Sequence, residues 1–326
     1  MAVNKQQCLD IAAAIIDGNP PDDETYNELA RMPEQDVFAM LPGANAVREH
    51  FFGQRVHLCC ILNAKSGKCA EDCAFCAQSV YAKTNVPVYP LMDGQAIQKG
   101  EQYATANRIH RFSVVTSGGR LSEKAVGRLA GAIADLPKQD LRFCASLGTL
   151  GSSDFEVLKQ AGITRYHHNL ETAESHFEKI CTSHTYADRV KTITEAKKAG
   201  MAVCAGGIFG IGESDAQVLE LGVALRRLDV DAVPVNFLIP VAGTRLEKTP
   251  GISALRCLKI IALLRYLLFD KPILVCGGRT TNLGCYHDRV FQAGASGIMT
   301  GNYLTAPGCE PSDDHRMIHE LGLIAK

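Results

Sequence analysis

Cys69, Cys73 and Cys76 put three thiols within eight residues of this 326-residue sequence, spaced Cys-x3-Cys-x2-Cys. Thiolates are soft ligands that suit iron–sulfur clusters, zinc or copper. Structural zinc closes four ligands, typically from two cysteine pairs. A tripod of three thiolates suits different chemistry, because it holds three irons of a four-iron cube and leaves the fourth iron open to a small molecule. A zinc ion completed by a distant ligand, or a cluster used only for electron transfer, are the other readings this spacing allows. A second set of cysteines, Cys59, Cys60, Cys144, Cys204 and Cys276, is scattered through strand-like runs. Adjacent strand residues point to opposite faces, so only one of Cys59 and Cys60 shares an interior with the rest. Asn169 and Glu171 lie two apart in a strand-like run and so face the same side. Asn236 interrupts an apolar strand, and a buried amide needs partners.

These groups need elements to position them. Strand-like runs fall at 55–62, 109–116, 141–148, 164–171, 201–210, 232–241, 272–278 and 295–301. Helix-like stretches lie between them, near 93–106, 122–136, 152–161, 173–199, 214–228, 253–269 and 281–293. Alternating strands and helices imply parallel βαβ units. About eight such units predict an α/β fold of the (β/α)8 TIM-barrel type. Helical segments near 5–16, 22–30 and 35–49 precede them. The chain therefore divides into an N-terminal helical extension over 1–50 and a barrel over 51–326. Chemistry in such folds sits at the carboxyl ends of strands, where SGG (117–119), GGIFGIGE (206–213) and CGGR (276–279) make tight turns. The loop 63–92, which carries the tripod, is long enough to be functional.

Composition narrows the class. Lys plus Arg (34) nearly balances Asp plus Glu (35), so no global field attracts nucleic acid or an anionic membrane. No apolar run reaches the roughly 18 residues a membrane span needs. The first residues lack the features of a secretory signal, and the expected location is the cytoplasm. Thirteen cysteines in such a compartment point to metal binding or catalysis rather than disulfides. Cys257, inside ALRCLKIIALLRYLLF, reads as an ordinary buried hydrophobe. Cys8, Cys181, Cys285 and Cys309 attract no role. His110, His167, His168 and His184 are scattered and read as hydrogen-bonded or exposed histidines.

The tripod after the first barrel strand, with Phe75 just before its last cysteine, resembles the signature of radical S-adenosylmethionine enzymes. AEDCAFCAQS around the tripod, HHNLETA (167–173), the stretch 185–213, VPVNFLIPVAGT (233–244) and GGRTTN (277–282) resemble the biotin synthase family, in that family's order. The resemblance spans roughly residues 40–325. It implies a [4Fe–4S] cluster on Cys69, Cys73 and Cys76 and S-adenosylmethionine on its open iron. The reaction it implies is sulfur insertion into dethiobiotin to give biotin. Phe75 and Ile208 would pack on the adenine, Asn169 and Glu171 would bind the ribose hydroxyls, and Arg189 would pair with the S-adenosylmethionine carboxylate. Asn169 and Asn236 would line the dethiobiotin site. Thr305 would reach the substrate's carboxylate, although the family's threonine pair reads Thr305-Ala306 here. A flavodoxin or ferredoxin as electron donor and a homodimer also follow from the resemblance, as does the absence of nucleic-acid and membrane partners.

One position departs from the family. Its best-known members hold a second, sulfur-donating cluster on three cysteines and an arginine, and the matching positions here read Ser113, Cys144, Cys204 and Arg279. Serine is a poor iron ligand. Counting back from the tripod, Cys59 aligns with a family position beside that cluster, and Cys276 stands three residues before Arg279. The expectation is an auxiliary cluster rebuilt on Cys59, Cys144, Cys204 and Cys276, with four irons fitting four thiolates. Arg279 would lie beside it as a ligand or as a charge that stabilises sulfide. Related enzymes of the same barrel group, of hydrogenase-maturation or methylornithine-forming type, and a non-catalytic iron–sulfur protein are the competing classes.

Overall fold

The computed structural model of the chain describes residues 3–137 and 140–326. Nine strands carry the architecture: β1 (Arg55–Lys65), β2 (Arg111–Thr116), β3 (Arg142–Ser146), β4 (Ile163–His167), β5 (Ala202–Cys204), β6 (Gly207–Phe209), β7 (Val233–Phe237), β8 (Ile273–Val275) and β9 (Gly297–Met299). They pair in the order β5-β4-β3-β2-β1-β9-β8-β7-β6, and each of those pairings is parallel. The two ends of that path, β5 and β6, are consecutive pieces of one run broken at Ala205-Gly206. Parallel bridges Cys204↔Ala232 and Glu171↔Gly207 join this run to the strands on either side. The ring is therefore closed, with the β5–β6 run filling one of eight positions, as in a (β/α)8 barrel.

Each strand shows two faces. In β1, Val56, Leu58, Cys60 and Ala64 belong to the core between strands and helices. Cys59 and Ile61 turn the other way and pack with Ala232, Leu274, Cys276 and Met299. This alternation resolves the Cys59–Cys60 choice: Cys59 faces the lumen and Cys60 the outer core.

Helices follow the strands, with three departures from expectation. The stretch 173–199 is two helices, Glu174–Ile180 and Tyr186–Lys198, because Cys181 is extended and Thr185 caps the second helix by accepting from the Asp188 amide. The stretch 281–293 contains only a short helix, Arg279–Leu283, and a 3-10 turn, Gly284–Tyr286. A helix Pro311–Glu320 and a two-residue strand β10 (Ile324–Ala325) lie beyond the last expected element, and β10 pairs in parallel with the start of β1.

The N-terminal helices Lys5–Ile16, Asp23–Arg31 and Val37–Phe52 precede the ring. The Tyr266 hydroxyl donates to the Met40 carbonyl at 2.8 Å, tying the third of them to helix Ala254–Leu267. That helix is buried continuously from Cys257 to Leu267. Within that buried stretch, Lys259 reaches Asp215 at 2.7 Å, and Arg265 donates to the carbonyls of Gly294, Leu268, Phe269 and Lys271. Cys257 is fully buried there, as its apolar surroundings suggest. No helix among the described residues is long and apolar enough to cross a membrane.

Candidate functional site

The loop after β1 wraps tightly. The Cys69 amide donates to the Gln78 carbonyl, Val80 donates back to Cys69, and the Cys76 amide donates to the Cys73 carbonyl. The wrap holds the three thiols at the carboxyl end of β1. Its lower rim is stitched to the segment after helix Glu174–Ile180. Asp72 accepts from the amides of Thr182 (2.9 Å) and Ser183 (3.0 Å) and from the Thr182 hydroxyl (2.6 Å). Burial pushes the Asp72 carboxyl up, but these hydrogen bonds outweigh it and hold the group well below the usual carboxylate range. The Ala74 amide donates to the Ile180 carbonyl, and Arg245 bridges the carbonyls of Asp72 and Ile180.

Facing the tripod is a polar group built on the end of β4. Asn169 Nδ2 donates to Glu171 at 3.2 Å, and Asn169 Oδ1 accepts from the Gly206 amide at 3.2 Å. Arg189 donates to the Asn169 carbonyl at 3.0 Å and pairs with Glu171 at 3.4 Å. Its Nε is buried with no partner. Glu171 adopts φ 71°, a left-handed conformation uncommon for non-glycine residues. Glu171 acts electrostatically on both Cys73 and Cys76, so this group and the tripod share one pocket. Phe75 and Ile208 pack against the same small cluster, Ala74, Ile180, Ile211 and Leu238. Asn236 spends half of its amide on backbone: Nδ2 donates to Gly207 at 3.1 Å and Oδ1 accepts from Gly277 at 3.0 Å. One N–H and one lone pair remain. Thr305 is exposed on the rim loop. That loop is tied to β1 by Asn63 Nδ2, which donates to the Leu304 carbonyl at 3.0 Å.

Below this pocket the lumen holds Cys59, Cys144, Cys204 and Cys276. Cys59 Sγ donates to the Ile298 carbonyl at 3.8 Å and Cys276 Sγ to the Leu274 carbonyl at 3.5 Å; the two thiols also influence each other, lowering Cys59 against its burial and raising Cys276. Cys59 in turn acts on Cys144 and Cys204. Burial pushes the Cys204 thiol up to about 12. Burial also raises Cys144, against the pull of Arg111 and Arg165. Ser113 pairs in register with Cys144.

Three features escaped the sequence. Arg111 donates to Cys144 Sγ at 3.6 Å, and Arg111 and Arg165 both act on Cys59, Cys144 and Cys204. Even spacing along β2 and β4 from lumen positions was the available signal for them. The second is the buried partner of Arg279. Its Nη2 donates to Asp314 at 2.6 Å, with both side chains fully buried, and its Nη1 meets His287 at 3.4 Å. The guanidinium is anchored by helix Pro311–Glu320, its Nε is buried with no partner, and its charge acts on Cys276. The third feature is Cys181 with His184, which the structure brings against Cys73. The Cys73 hydrogen bond, outweighing burial and aided by His184, pulls the Cys181 thiol down to about 4.

A groove of about 1310 Å3 opens at the opposite, amino-terminal end of the barrel, between the start of β2 and helix Pro311–Glu320. No cysteine lines it, and the chemistry described above lies at the other end.

Residues 64–222 match the Radical SAM superfamily, and residues 234–324 match the Biotin and Thiamin Synthesis associated domain. The chain is 62% identical over 320 residues to a biotin synthase from Desulfatibacillum aliphaticivorans, covering 98% of each chain. It is 44% identical to a biotin synthase from Geobacter sulfurreducens, covering 97% of each. Among solved structures, methylornithine synthase superposes with a TM-score of 0.84 at 21% identity, over 97% of each chain, and shares the fold.

Proposed function

This chain belongs to the biotin synthase family of radical S-adenosylmethionine enzymes, and from that membership we propose how its own residues divide the work. The reaction is radical insertion of sulfur into dethiobiotin to give biotin, with a [4Fe–4S] cluster and S-adenosylmethionine as cofactors. When bound, that pair supplies a 5′-deoxyadenosyl radical strong enough to take hydrogen from an unactivated carbon. In our reading Cys69, Cys73 and Cys76 hold the cube, and Phe75 and Ile208 close apolar surface over the adenine. Asn169 and Glu171 receive the ribose hydroxyls. The buried, unpartnered Nε of Arg189 offers the cofactor's carboxylate a charge-assisted hydrogen bond. Asn169, the free half of Asn236, and Thr305 at the rim orient dethiobiotin.

The sulfur source is a second cluster on Cys59, Cys144, Cys204 and Cys276. One observation carries this part: four lumen thiols share their space with Arg165, whose Nε is buried without a partner. Four thiolates and an unused guanidinium are the surroundings that an anionic, four-iron centre requires. Ser113 on β2 then needs no metal to bind. Arg279, anchored by Asp314, lies beside that layer as a ligand or as a charge that stabilises sulfide. The reading also includes the division into a helical extension (1–50) and barrel (51–326), a flavodoxin or ferredoxin that delivers the electron, a cytoplasmic location and a homodimer. The last two rest on cysteine usage and on family resemblance.

The test is anaerobic reconstitution followed by iron counting and turnover with dethiobiotin, S-adenosylmethionine and reductant. Two four-iron centres predict about eight irons per chain. Cys144→Ala should lose biotin formation while 5′-deoxyadenosine still appears. About four irons in the wild type, or biotin from the Cys144→Ala chain, would overturn the auxiliary site.

A further inference from the structure

Cys73, Cys181 and His184 form a second collection of soft donors beside the tripod. Their ligand atoms all lie within 4.8 Å of one another, and no other such group of histidine, cysteine and carboxylate donors occurs among the described residues. Cys73 and Cys181 Sγ are 3.8 Å apart, and Cys181 Sγ is 3.3 Å from His184 Nδ1. Glu71 Oε2 stands 2.6 Å from the same ring nitrogen.

The arrangement is built from parts far apart in the chain. Helix Glu174–Ile180 stops at Cys181, which is extended and buried. Asp72 then fixes the next two residues through their amides and the Thr182 hydroxyl. The Asp72 amide donates to Ser183 Oγ at 3.1 Å, and Ser183 Oγ also reaches Glu71. This lattice clamps the 181–184 segment against the loop that carries Cys73. Two thiols and an imidazole are donors of the kind that take Zn2+. Thiolate and imidazole also suit Fe2+.

We propose that the cluster-free chain binds one Zn2+ or Fe2+ ion on Cys73, Cys181 and His184, with the fourth position left to water. Cys73 leaves this ion when it joins the cube, so the two metal states share one thiolate and compete. That second statement rests on the tripod reading; the ion site does not. When the ion is zinc, it obstructs cluster assembly. When the ion is iron, it stands one ligand exchange from the place where the cube is built.

The experiment uses the full-length, cluster-free chain under anaerobic conditions, with Co2+ as the probe and Zn2+ as competitor. Expected are one cobalt ion per chain, a near-ultraviolet thiolate-to-cobalt band and visible bands of tetrahedral cobalt, all removed by zinc. Cys181→Ser and His184→Gln should each weaken cobalt binding by roughly tenfold or more. Both should still reach the wild-type iron count and cluster absorbance. Cys69→Ala should do the reverse, keeping the ion and losing the cube. Unchanged cobalt affinity in Cys181→Ser and His184→Gln overturns the site. Loss of cobalt from Cys69→Ala overturns it too, since the ion would then sit on the tripod. A folded Cys181→Ser chain that fails to take the cube also overturns it, because Cys181 would belong to the cluster. A wild-type chain that binds the ion but never takes a cube supports the ion site and counts against the tripod reading alone.

Discussion

Arg165, with Arg111, carries N–H donors into the layer of lumen thiols, and its buried Nε meets no protein acceptor. A buried N–H left in that state costs stability unless an acceptor completes it. If that acceptor is the auxiliary centre, Arg165→Met should make the centre harder to reduce, because a nearby positive charge favours the added electron. The expected outcome is a midpoint shifted negative by tens of millivolts in an optically monitored redox titration. An unchanged midpoint would mean that Arg165 serves packing. His110 permits a second prediction. The Leu58 amide donates to His110 Nδ1 at 2.8 Å, which requires a neutral ring. Burial, then the neighbouring His315, holds His110 below the usual imidazole range. As pH falls below about 6.5 the unfolded chain takes up the proton first, so stability present above that value is lost toward the lower folded value. The loss has a slope of at most about 1.4 kcal/mol per pH unit for one site. His110→Gln should show a flatter fall in melting temperature between neutral and mildly acidic pH. Parallel curves for the two proteins would refute the assignment.

At the level of elements, the closed ring depends on one narrow crossing. A Cβ at Gly206 would lie 2.0 Å from the Pro234 carbonyl oxygen, and one at Gly207 would lie 2.6 Å from that of Glu171. Gly206→Ala must therefore push β7 away from the β5–β6 run. A loss of about 3 kcal/mol is expected from denaturant unfolding, together with weakened S-adenosylmethionine binding, since Asn169 and Glu171 hang on the same crossing. Wild-type stability in that variant would show that the crossing is soft. This scale is where the sequence was most and least readable. Alternation placed all eight ring positions, because each strand has one apolar outer face. It could not show that 201–210 is interrupted, since the reason lies across space in Pro234 and Glu171. Nor could it show that 173–199 splits at Cys181, because the clamp on that segment comes from Asp72, 110 residues away. Cys181 and His184 looked roleless for the same reason. The tripod and the Asn169–Glu171 pair were legible because their spacing is local.

For the molecule as a whole, the C-terminal helix serves as a base for the lumen. Asp314 and Arg279 are both fully buried and 2.6 Å apart. Removing one partner of such a pair strands the other charge, at a cost of roughly 3–5 kcal/mol. Asp314→Asn is expected to lower unfolding stability by that amount and to loosen Arg279 beside Cys276; a change under about 1 kcal/mol would show that the pair is solvated. The barrel also has an order in time. β1, which carries Cys59 and leads into the tripod, pairs with β9 on one side, and Cys59 contacts Ile298, 239 residues later in the chain. At about 5–20 residues per second, a ribosome makes that partner roughly 12–50 s after β1. Until then the ring has a gap beside β1. Cys59 therefore stays open on that side while the chain is still being synthesised, and the lumen wall beside it is completed only when β9 arrives.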